Sequence, residues 1–390
     1  CIRDRYNDIS AMSRLHRSAS AQMSRPAISI QKSGGWTFGS PSVLMMFYRA
    51  SGELQSELTE MDECMPHYYK ITNGHGQGAE TIMRAEADFM HACFADAQIM
   101  LERAYAQIDG NGQENMALCC DFLAWRLSLC TSFTPRESFE QRREALLGLH
   151  NVTWLNILQS SCAYYYALLG LPEKIPAVFR EHQLASIHFL APGKPMMELI
   201  ENQVYLAQGE YAKVIGRSEA LLGMCEAMHY ALVALHIRLQ TAAAYEMLGK
   251  RETADELLIS ALAAAEPDAL YLPFVENYRY LKTALTRGAG AKFAAFVRTV
   301  TPLGEDFVRR CGEKRAEGSR PAALAGLTER ESAIAALVAK RLSNREIAEQ
   351  LFLSEGSVKQ YINQIYSKLL ITGDVRTKRK RLAELAAPKS

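Results

Sequence analysis

Apolar residues recur at spacings of three and four along almost the whole chain, which is the periodicity of amphipathic α-helices. Stretches that alternate apolar and polar residues with a period of two, as half-buried strands do, are scarce. The pattern therefore predicts an all-α protein.

Three stretches share a spacing of small residues that is typical of helical hairpins. In Gly249–Ala261 a turn glycine is followed five residues later by Ala254 and seven residues after that by Ala261. Gly209–Leu221 and Ala92–Ala104 repeat the same offsets. Small residues at these positions let two antiparallel helices approach closely on either side of the turn. The pattern resembles tetratricopeptide repeats, most closely in the first of the three stretches.

Helix pairs of this kind can be placed along most of the chain, and units that cannot bury their faces singly should stack into a solenoid. We expect residues 78–310 to form a tetratricopeptide-like domain that acts as a sensor or a scaffold. Residues 1–77 are expected to form the helical start of the same solenoid. Residues 311–326 are rich in charge, Gly, Ala and Pro, which predicts a flexible linker. Residues 327–390 then form a compact C-terminal domain.

The composition is that of an ordinary globular protein, with 48% hydrophobic and 22% charged residues. No stretch approaches the roughly 18 apolar residues that a membrane span needs, and the first ten residues lack the apolar segment of a secretory signal. We therefore expect a cytoplasmic protein that does not enter the membrane. Nine cysteines without a CxxC pair predict free thiols. The histidine spacings predict no metal site.

The net charge of +1 is unevenly distributed along the chain. From Leu327 to the last residue there are 12 Lys and Arg against 7 Asp and Glu, whereas the remainder has 32 against 36. A basic end joined to a mildly acidic body favours a nucleic-acid-binding domain attached to a body with another role.

The basic end contains three helix-start signals in succession. Thr328 and Glu331 have the spacing of a capping box, and Ser343 and Glu346 repeat it. Ser354 is placed to cap a third helix shortly afterwards. Two helices joined by a turn of three to four residues, the second of them amphipathic, are the layout of a helix-turn-helix.

The third of these helices has two chemically distinct faces. Apolar residues follow each other at helical spacing on one face, namely Val358, Ile362, Ile365 and Leu369. The opposite face carries hydrogen-bonding side chains with one cation and no acid, namely Ser357, Lys359, Gln360, Asn363, Gln364 and Ser367. A solvated helix usually mixes Glu with Lys, so this face favours contact with the major groove of DNA.

The segments LTERE and SNREIAEQLFLSEGSVKQYINQIYSKL resemble the LuxR-type (GerE) DNA-binding domain along all its helices. The resemblance implies a four-helix domain that binds double-stranded DNA, with Lys359, Gln360 and Asn363 at base edges. The expected phosphate contacts are Asn344, Arg345, Ser357, Tyr361, Lys368, Arg376, Lys378 and Arg379. The family's fourth helix serves dimerisation, which points to residues 376–386 and to a homodimer or oligomer on DNA. The alternative is that its basic run, residues 376–381, contacts the backbone phosphates instead.

The sequence departs from the family at two turns. Arg341 and Leu370 stand where the family prefers glycine for a left-handed backbone. An ordinary residue in that conformation costs about 1 kcal/mol. We expect both turns to keep the left-handed conformation at this modest cost.

The helical body resembles that of the large ATP-binding, MalT-like LuxR regulators. The likeness is best in Glu201–Glu210, Gln240–Lys250 and Pro273–Leu281. It implies a nucleotide-binding domain, a sensor superhelix and a LuxR domain in that order. Because no G-x-x-x-x-G-K-[ST] motif occurs in the 390 residues, we expect no enzymatic activity and no cofactor in this chain. ATP is expected only if a further domain precedes Cys1.

Two hypotheses remain open for the body. In the first it senses a small-molecule inducer, whose binding shifts the protein toward an oligomer that holds DNA; the family resemblance favours an activator, for which RNA polymerase is the expected partner. The candidate ligand-binding residues are then Tyr230, Glu276, Asn277 and Tyr278. In the second the body is a docking scaffold for an inhibitor protein or a neighbouring copy. A pocket with convergent polar groups would favour the first hypothesis, and a long open groove would favour the second.

Overall fold

The computed structural model of the protein describes residues 9–27, 41–187, 191–288, 292–318, 324 and 326–386. Within these ranges every regular element is a helix, which confirms the predicted all-α fold. The chain divides into two compact units, Cys1–Cys311 and Gly312–Ser390. The first unit contains the helical hairpins and the second contains the helix-turn-helix.

Fifteen α-helices of the described residues lie wholly within the first unit, and a sixteenth begins there. They are α1 (Ile9–Gln22), α2 (Val43–Phe47), α3 (Leu54–Thr72), α4 (Ala79–Met90), α5 (Phe94–Ile108), α6 (Glu114–Cys130), α7 (Phe139–Leu147), α8 (Val152–Leu169), α9 (Ala177–Arg180), α10 (Lys194–Gln208), α11 (Tyr211–Met228), α12 (Ala231–Met247), α13 (Arg251–Ala265), α14 (Leu272–Glu276), α15 (Tyr278–Gly288) and α16 (Ala294–Gly318).

The three predicted hairpins are present as the pairs α4–α5, α10–α11 and α12–α13. In each pair the small or apolar residues at the shared offsets are buried, including Ala254 and Ala261 with no exposed surface. The backbone is left-handed at the predicted turn positions, with φ of 60° at Ala92, 78° at Gly209 and 74° at Gly249. The hairpin prediction is therefore confirmed.

One helix of each of these hairpins, together with α6, α8 and α14, forms a closed inner layer. Helices α4, α6, α8, α10 and α12 contact one another in succession, and α14 returns to α4. At that junction the Tyr271 amide donates to the Met90 carbonyl at 2.9 Å, and His91 Nε2 lies 2.9 Å from the Asp268 carbonyl oxygen. The repeats of an open solenoid contact only their neighbours. Here contacts between the two ends of the array are added to the neighbour contacts.

Helix α2 fills part of the space inside this layer. It contacts α4 and α12, and all five of its residues are buried. Ser42 caps the helix, and the Leu44 amide donates to the carboxylate of Glu86 at 2.7 Å. The Tyr48 hydroxyl donates to Asp268 at 2.6 Å. The face that an open superhelix would expose as a concave surface is thus covered in part by the chain's own residues.

Helix α16 packs on the first unit and continues beyond it. Phe296, Val300, Phe307 and Cys311 are buried along one of its faces. The helix runs on to Gly318, so the first part of the linker predicted for residues 311–326 is helical, and that prediction needs correction. The cause is local, because this stretch consists largely of Glu, Lys, Arg and Ala, which favour helix.

The second unit has four further helices: α17 (Glu329–Ala339), α18 (Asn344–Leu351), α19 (Glu355–Lys368) and α20 (Val375–Ala386). Both predicted capping boxes form, and Ser354 caps α19 as predicted. A separate apolar core joins the four helices, with Ile334, Ile347 and Val358 among its fully buried residues.

No helix in the described part of the chain combines the length and the apolar character that crossing a lipid bilayer requires.

Candidate nucleic-acid interface

The orientation of α19 is determined by its apolar residues. Val358, Ile362 and Ile365 are buried in the core of the second unit, and Leu369 lies partly buried at its edge. Because a helix turns every 3.6 residues, burying these positions directs the residues between them to the surface. The rotation of α19 about its own axis follows from this core packing.

The three predicted base-contact residues lie together on the exposed face of α19. Lys359, Gln360 and Asn363 are all exposed, and they line one groove. The groove is completed by Glu331, Gly356, Gln364, Ser367 and Lys368. From residue 356 to residue 367 the helix has no acidic side chain. This face can therefore donate and accept hydrogen bonds without repelling phosphate.

Lys368 lies at one end of the groove, in an ion pair that sequence analysis did not foresee. Its Nζ donates to Glu331 Oε2 at 2.7 Å, and the same carboxylate oxygen accepts hydrogen bonds from the amide and hydroxyl of Thr328. Burial of Glu331 opposes its ionisation, but these hydrogen bonds lower the pKa of Glu331 below its ordinary value. The pair fastens the C-terminal end of α19 to the first turn of α17.

Arg379 of α20 connects two predicted phosphate-binding positions. Its Nη1 donates to Asn344 Oδ1 at 2.7 Å, and its Nη2 donates to the Leu342 carbonyl at 2.6 Å. Asn344 is the first residue of α18. The structure therefore brings Asn344 and Arg379 together and anchors α20 to the start of the helix-turn-helix. Arg345, the next residue, is exposed and pairs with Glu349 at 3.2 Å.

The remaining predicted phosphate contacts differ in exposure. Ser357 is half-buried with its hydroxyl 2.8 Å from that of Ser354, and Tyr361 packs partly against the core. Arg376 is exposed at the start of α20, whereas Lys378 is half-buried, its Nζ lying 5.8 Å from the centre of the Tyr366 ring. These placements show which side chains are free at the surface. Their contacts with DNA stay predictions.

The two turns at which the sequence departs from the family are left-handed as predicted. The φ angle is 62° at Arg341 and 51° at Leu370. A third residue, Phe352 between α18 and α19, has φ of 53° and leaves 95% of its side chain exposed. The sequence pattern had not singled out Phe352. Each of these residues carries the strain that a β-carbon adds in this conformation.

The four candidate ligand-binding residues of the first unit are held by contacts within the fold. The Tyr230 hydroxyl donates to the Pro192 carbonyl at 2.8 Å, and the Asn277 side chain donates to the Pro273 carbonyl at 2.9 Å. Tyr278 packs against Gly304 of α16. Glu276 is buried in an ion pair. Whether any of them contacts a ligand stays a prediction.

Comparison with known proteins identifies the second unit. Residues 325–379 match the GerE family, described as bacterial regulatory proteins of the luxR family. The chain is 41% identical over 63 residues to the transcriptional regulatory protein LnrK of Bacillus subtilis. It is 39% identical over 46 residues to the DNA-binding transcriptional activator DevR/DosR of Mycobacterium tuberculosis.

These similarities cover only part of each protein. The matches span 15% and 12% of this chain, and 29% and 21% of the two relatives. No solved structure matches the chain. The resemblance of the helical body to MalT-like regulators therefore stays a prediction, whereas the recognition of a LuxR-type helix-turn-helix is confirmed.

Proposed function

We propose that this chain is a sequence-specific transcription regulator whose helical body senses a signal. The premise is that its C-terminal domain belongs to the LuxR (GerE) family. The domain itself is a DNA-binding helix-turn-helix of bacterial regulators. Specific reading of DNA, activation with RNA polymerase as partner, and a homodimer on the operator are parts of the proposal.

The observation that carries this proposal is the exposed, acid-free face of α19. Core packing directs Lys359, Gln360 and Asn363 outward along one groove. Lysine contacts guanine O6 and N7 in the major groove, and an amide side chain suits adenine N6 and N7. We propose Lys359, Gln360 and Asn363 for the base edges, with Arg345 and Arg376 among the cations that contact phosphates.

The proposed signal-sensing role of the helical body could take either of two alternative forms. In the favoured form it binds a small molecule, because polar side chains converge inside the closed layer of helices, where Glu276 accepts hydrogen bonds from Arg126 and Tyr164. In the other form it docks an inhibitor protein or a second copy. The partial filling of the layer by α2 favours the small molecule, since a docked protein segment would need an open groove.

The DNA-binding part is tested with the purified full chain and a pool of random double-stranded DNA. Repeated selection should enrich one sequence, and a gel-shift competition then measures discrimination between that sequence and random DNA. The double variant Lys359→Ala with Asn363→Ala should lose this discrimination, because each base contact contributes about 1–3 kcal/mol.

Lys340→Ala is the matched control, since Lys340 is an exposed lysine of the same domain outside the groove. It should discriminate as the wild type does. Circular dichroism confirms that all variants are folded. The proposal is wrong if no sequence is enriched, or if the double variant discriminates as well as Lys340→Ala.

A further inference from the structure

A buried cluster of charged and aromatic side chains lies inside the first unit. Arg126 of α6 donates from Nε to Glu276 Oε1 at 2.8 Å, and the Tyr164 hydroxyl donates to Glu276 Oε2 at 2.8 Å. The Arg126 guanidinium carbon lies 4.8 Å and 5.2 Å from the ring centres of Phe89 and Phe122. All five side chains are almost completely buried.

His236 and Glu86 lie close enough to this cluster to interact with the charge of Arg126, and several polar atoms of these residues have no hydrogen-bond partner among the described residues. They are both terminal nitrogens of Arg126, both ring nitrogens of His236 and the Oε1 oxygen of Glu86. These three residues stand on α6, α12 and α4, which belong to the same inner layer. Buried polar groups in folded proteins are nearly always paired, and an unpaired charged group is especially costly. Groups of this kind are satisfied by ordered water or by a bound ligand, and the charges around them bear on which ligand fits.

The three side chains act on one another electrostatically. Burial lowers the pKa of His236 to about 4; the charge of Glu276 opposes this and that of Arg126 adds to it. The imidazole is therefore neutral and can both donate and accept. Burial raises the pKa of Glu86 to about 7, and hydrogen bonds from the α2 backbone and the Ser42 side chain oppose this rise together with the charge of Arg126. An approaching cation would favour the ionised form of Glu86.

We propose that Arg126, His236 and Glu86 bind a small zwitterionic ligand of the amino-acid class, with its carboxylate on Arg126 and its ammonium group on Glu86. The inference rests on the sensing role in the proposed function and assigns the ligand chemistry and the residues.

The carboxylate assignment follows from the surroundings of Arg126. Aromatic rings pack close to the guanidinium, and its Nε is engaged by Glu276. The two free terminal nitrogens form the edge that binds a carboxylate through two parallel hydrogen bonds.

The net charge of the cluster selects a zwitterion. One guanidinium faces the carboxylates of Glu276 and Glu86, so a phosphate dianion would add negative charge to a site that already has an excess of it. A zwitterion adds one charge of each sign. Glu86 Oε2 is taken by the Leu44 amide, which leaves Oε1 for the ammonium group.

The proposed ligand site also contacts helices whose packing could differ between the empty and the ligand-bound protein. Glu86 holds the first turn of α2, and Glu276 ends α14, two residues before Tyr278 packs on Gly304 of α16. A ligand on Glu86 and Arg126 therefore lies one hydrogen bond from α2 and one ion pair from α14, and the residue that follows α14 by two positions packs on α16, the helix that leads out of the first unit.

The test is thermal denaturation and calorimetric titration of the full chain with the twenty proteinogenic L-amino acids, one at a time. At least one should raise the Tm by about 2 °C or more at saturating concentration. For that amino acid, the amide lacking the carboxylate and the acid lacking the amine should each bind at least about 10-fold more weakly.

Arg126→Lys and Glu86→Gln should weaken binding of the same amino acid by at least about 10-fold. Arg143→Lys, an exposed arginine of the same unit, is the matched control and should bind as the wild type does. If Arg126→Lys does not fold, the wild-type analogue series decides alone. The inference is overturned if no amino acid binds, or if neither the analogues nor Glu86→Gln weaken binding. DNA binding is not used in this test, so its failure leaves the DNA-binding proposal standing.

Discussion

Replacement of Gly304 by alanine tests how α16 is attached to the first unit. A β-carbon at this position would lie 2.2 Å from Cγ and 2.4 Å from Cδ2 of Tyr278. Both distances are far below van der Waals contact, and the nearest atoms are the stem of a buried ring rather than the end of a flexible chain. Tyr278 is only 3% exposed, so the ring cannot simply swing into solvent.

The expected loss in the free energy of unfolding is the difference between two opposing effects. Overpacking a filled site costs about 1–3 kcal/mol, and this overlap of more than an ångström belongs at the upper end. Alanine in place of glycine within a helix gains up to about 1 kcal/mol. We therefore expect Gly304→Ala to destabilise the first unit by about 2 kcal/mol.

Gly223→Ala is the matched control, because Gly223 lies inside α11 of the same unit and a β-carbon added there would have nothing within 4 Å. It gains the helix propensity without the clash, so it should be neutral or slightly stabilising. The opposite signs of the two substitutions separate crowding at Tyr278 from a general effect of alanine in the helices of this unit.

Urea denaturation followed by tryptophan fluorescence measures both effects. Trp125 and Trp154 are buried in the first unit, and the sequence from Gly312 onward contains no tryptophan, so the fluorescence change reports the unfolding of the first unit. In a Tyr278→Ala background the cost of Gly304→Ala should disappear, because the clashing ring is gone. A wild-type midpoint for Gly304→Ala, or an equal loss in both backgrounds, would refute the packing argument.

Three further predictions concern charge and hydrogen bonding. DNA affinity should fall as salt rises, and Arg376→Ala should reduce the slope of log affinity against log salt by about one, whereas an unchanged slope excludes this phosphate contact. Because its folded pKa is lowered, Glu331 stabilises the second unit above its unfolded value of 4.5, and this contribution is lost as the pH falls through the folded value. The protection factors of the α17 amides, which are exchange rates corrected for the intrinsic effect of pH, should therefore fall in acid more for the wild type than for Glu331→Gln, and identical profiles would contradict this. Tyr164→Phe should lower the urea midpoint of the first unit by an amount equal to about 1–3 kcal/mol, since Glu276 loses a donor, and an unchanged midpoint would argue against that bond.

Local features of the second unit were predictable from sequence. The capping boxes at Thr328 and Ser343 depend on residues three positions apart, and the buried face of α19 depends on spacings of three and four. The left-handed turns at Arg341 and Leu370 followed from the family resemblance, and the structure shows both. These features depend on residues that are close together in the chain, so they can be predicted directly from the amino-acid sequence.

Contacts between distant residues were decided only by the tertiary structure. Glu331 could be recognised as half of a capping box, but its ion pair with Lys368 joins residues 37 positions apart. Tyr278 was selected as a ligand candidate for its aromatic, polar character, whereas the structure shows it packed on Gly304. The spacing of apolar residues in a helix predicts which face is buried, but it does not predict which other helix packs on that face.

The same limit applies to the closed inner layer of the first unit. Small residues after Ala92, Gly209 and Gly249 determined the hairpins, because close approach across a short turn is a local requirement. The pairing of Arg126 with Glu276 spans 150 positions and joins α6 to α14, two helices far apart along the chain. Periodicity carries no information about such a pairing, so only the packed structure revealed the buried cluster.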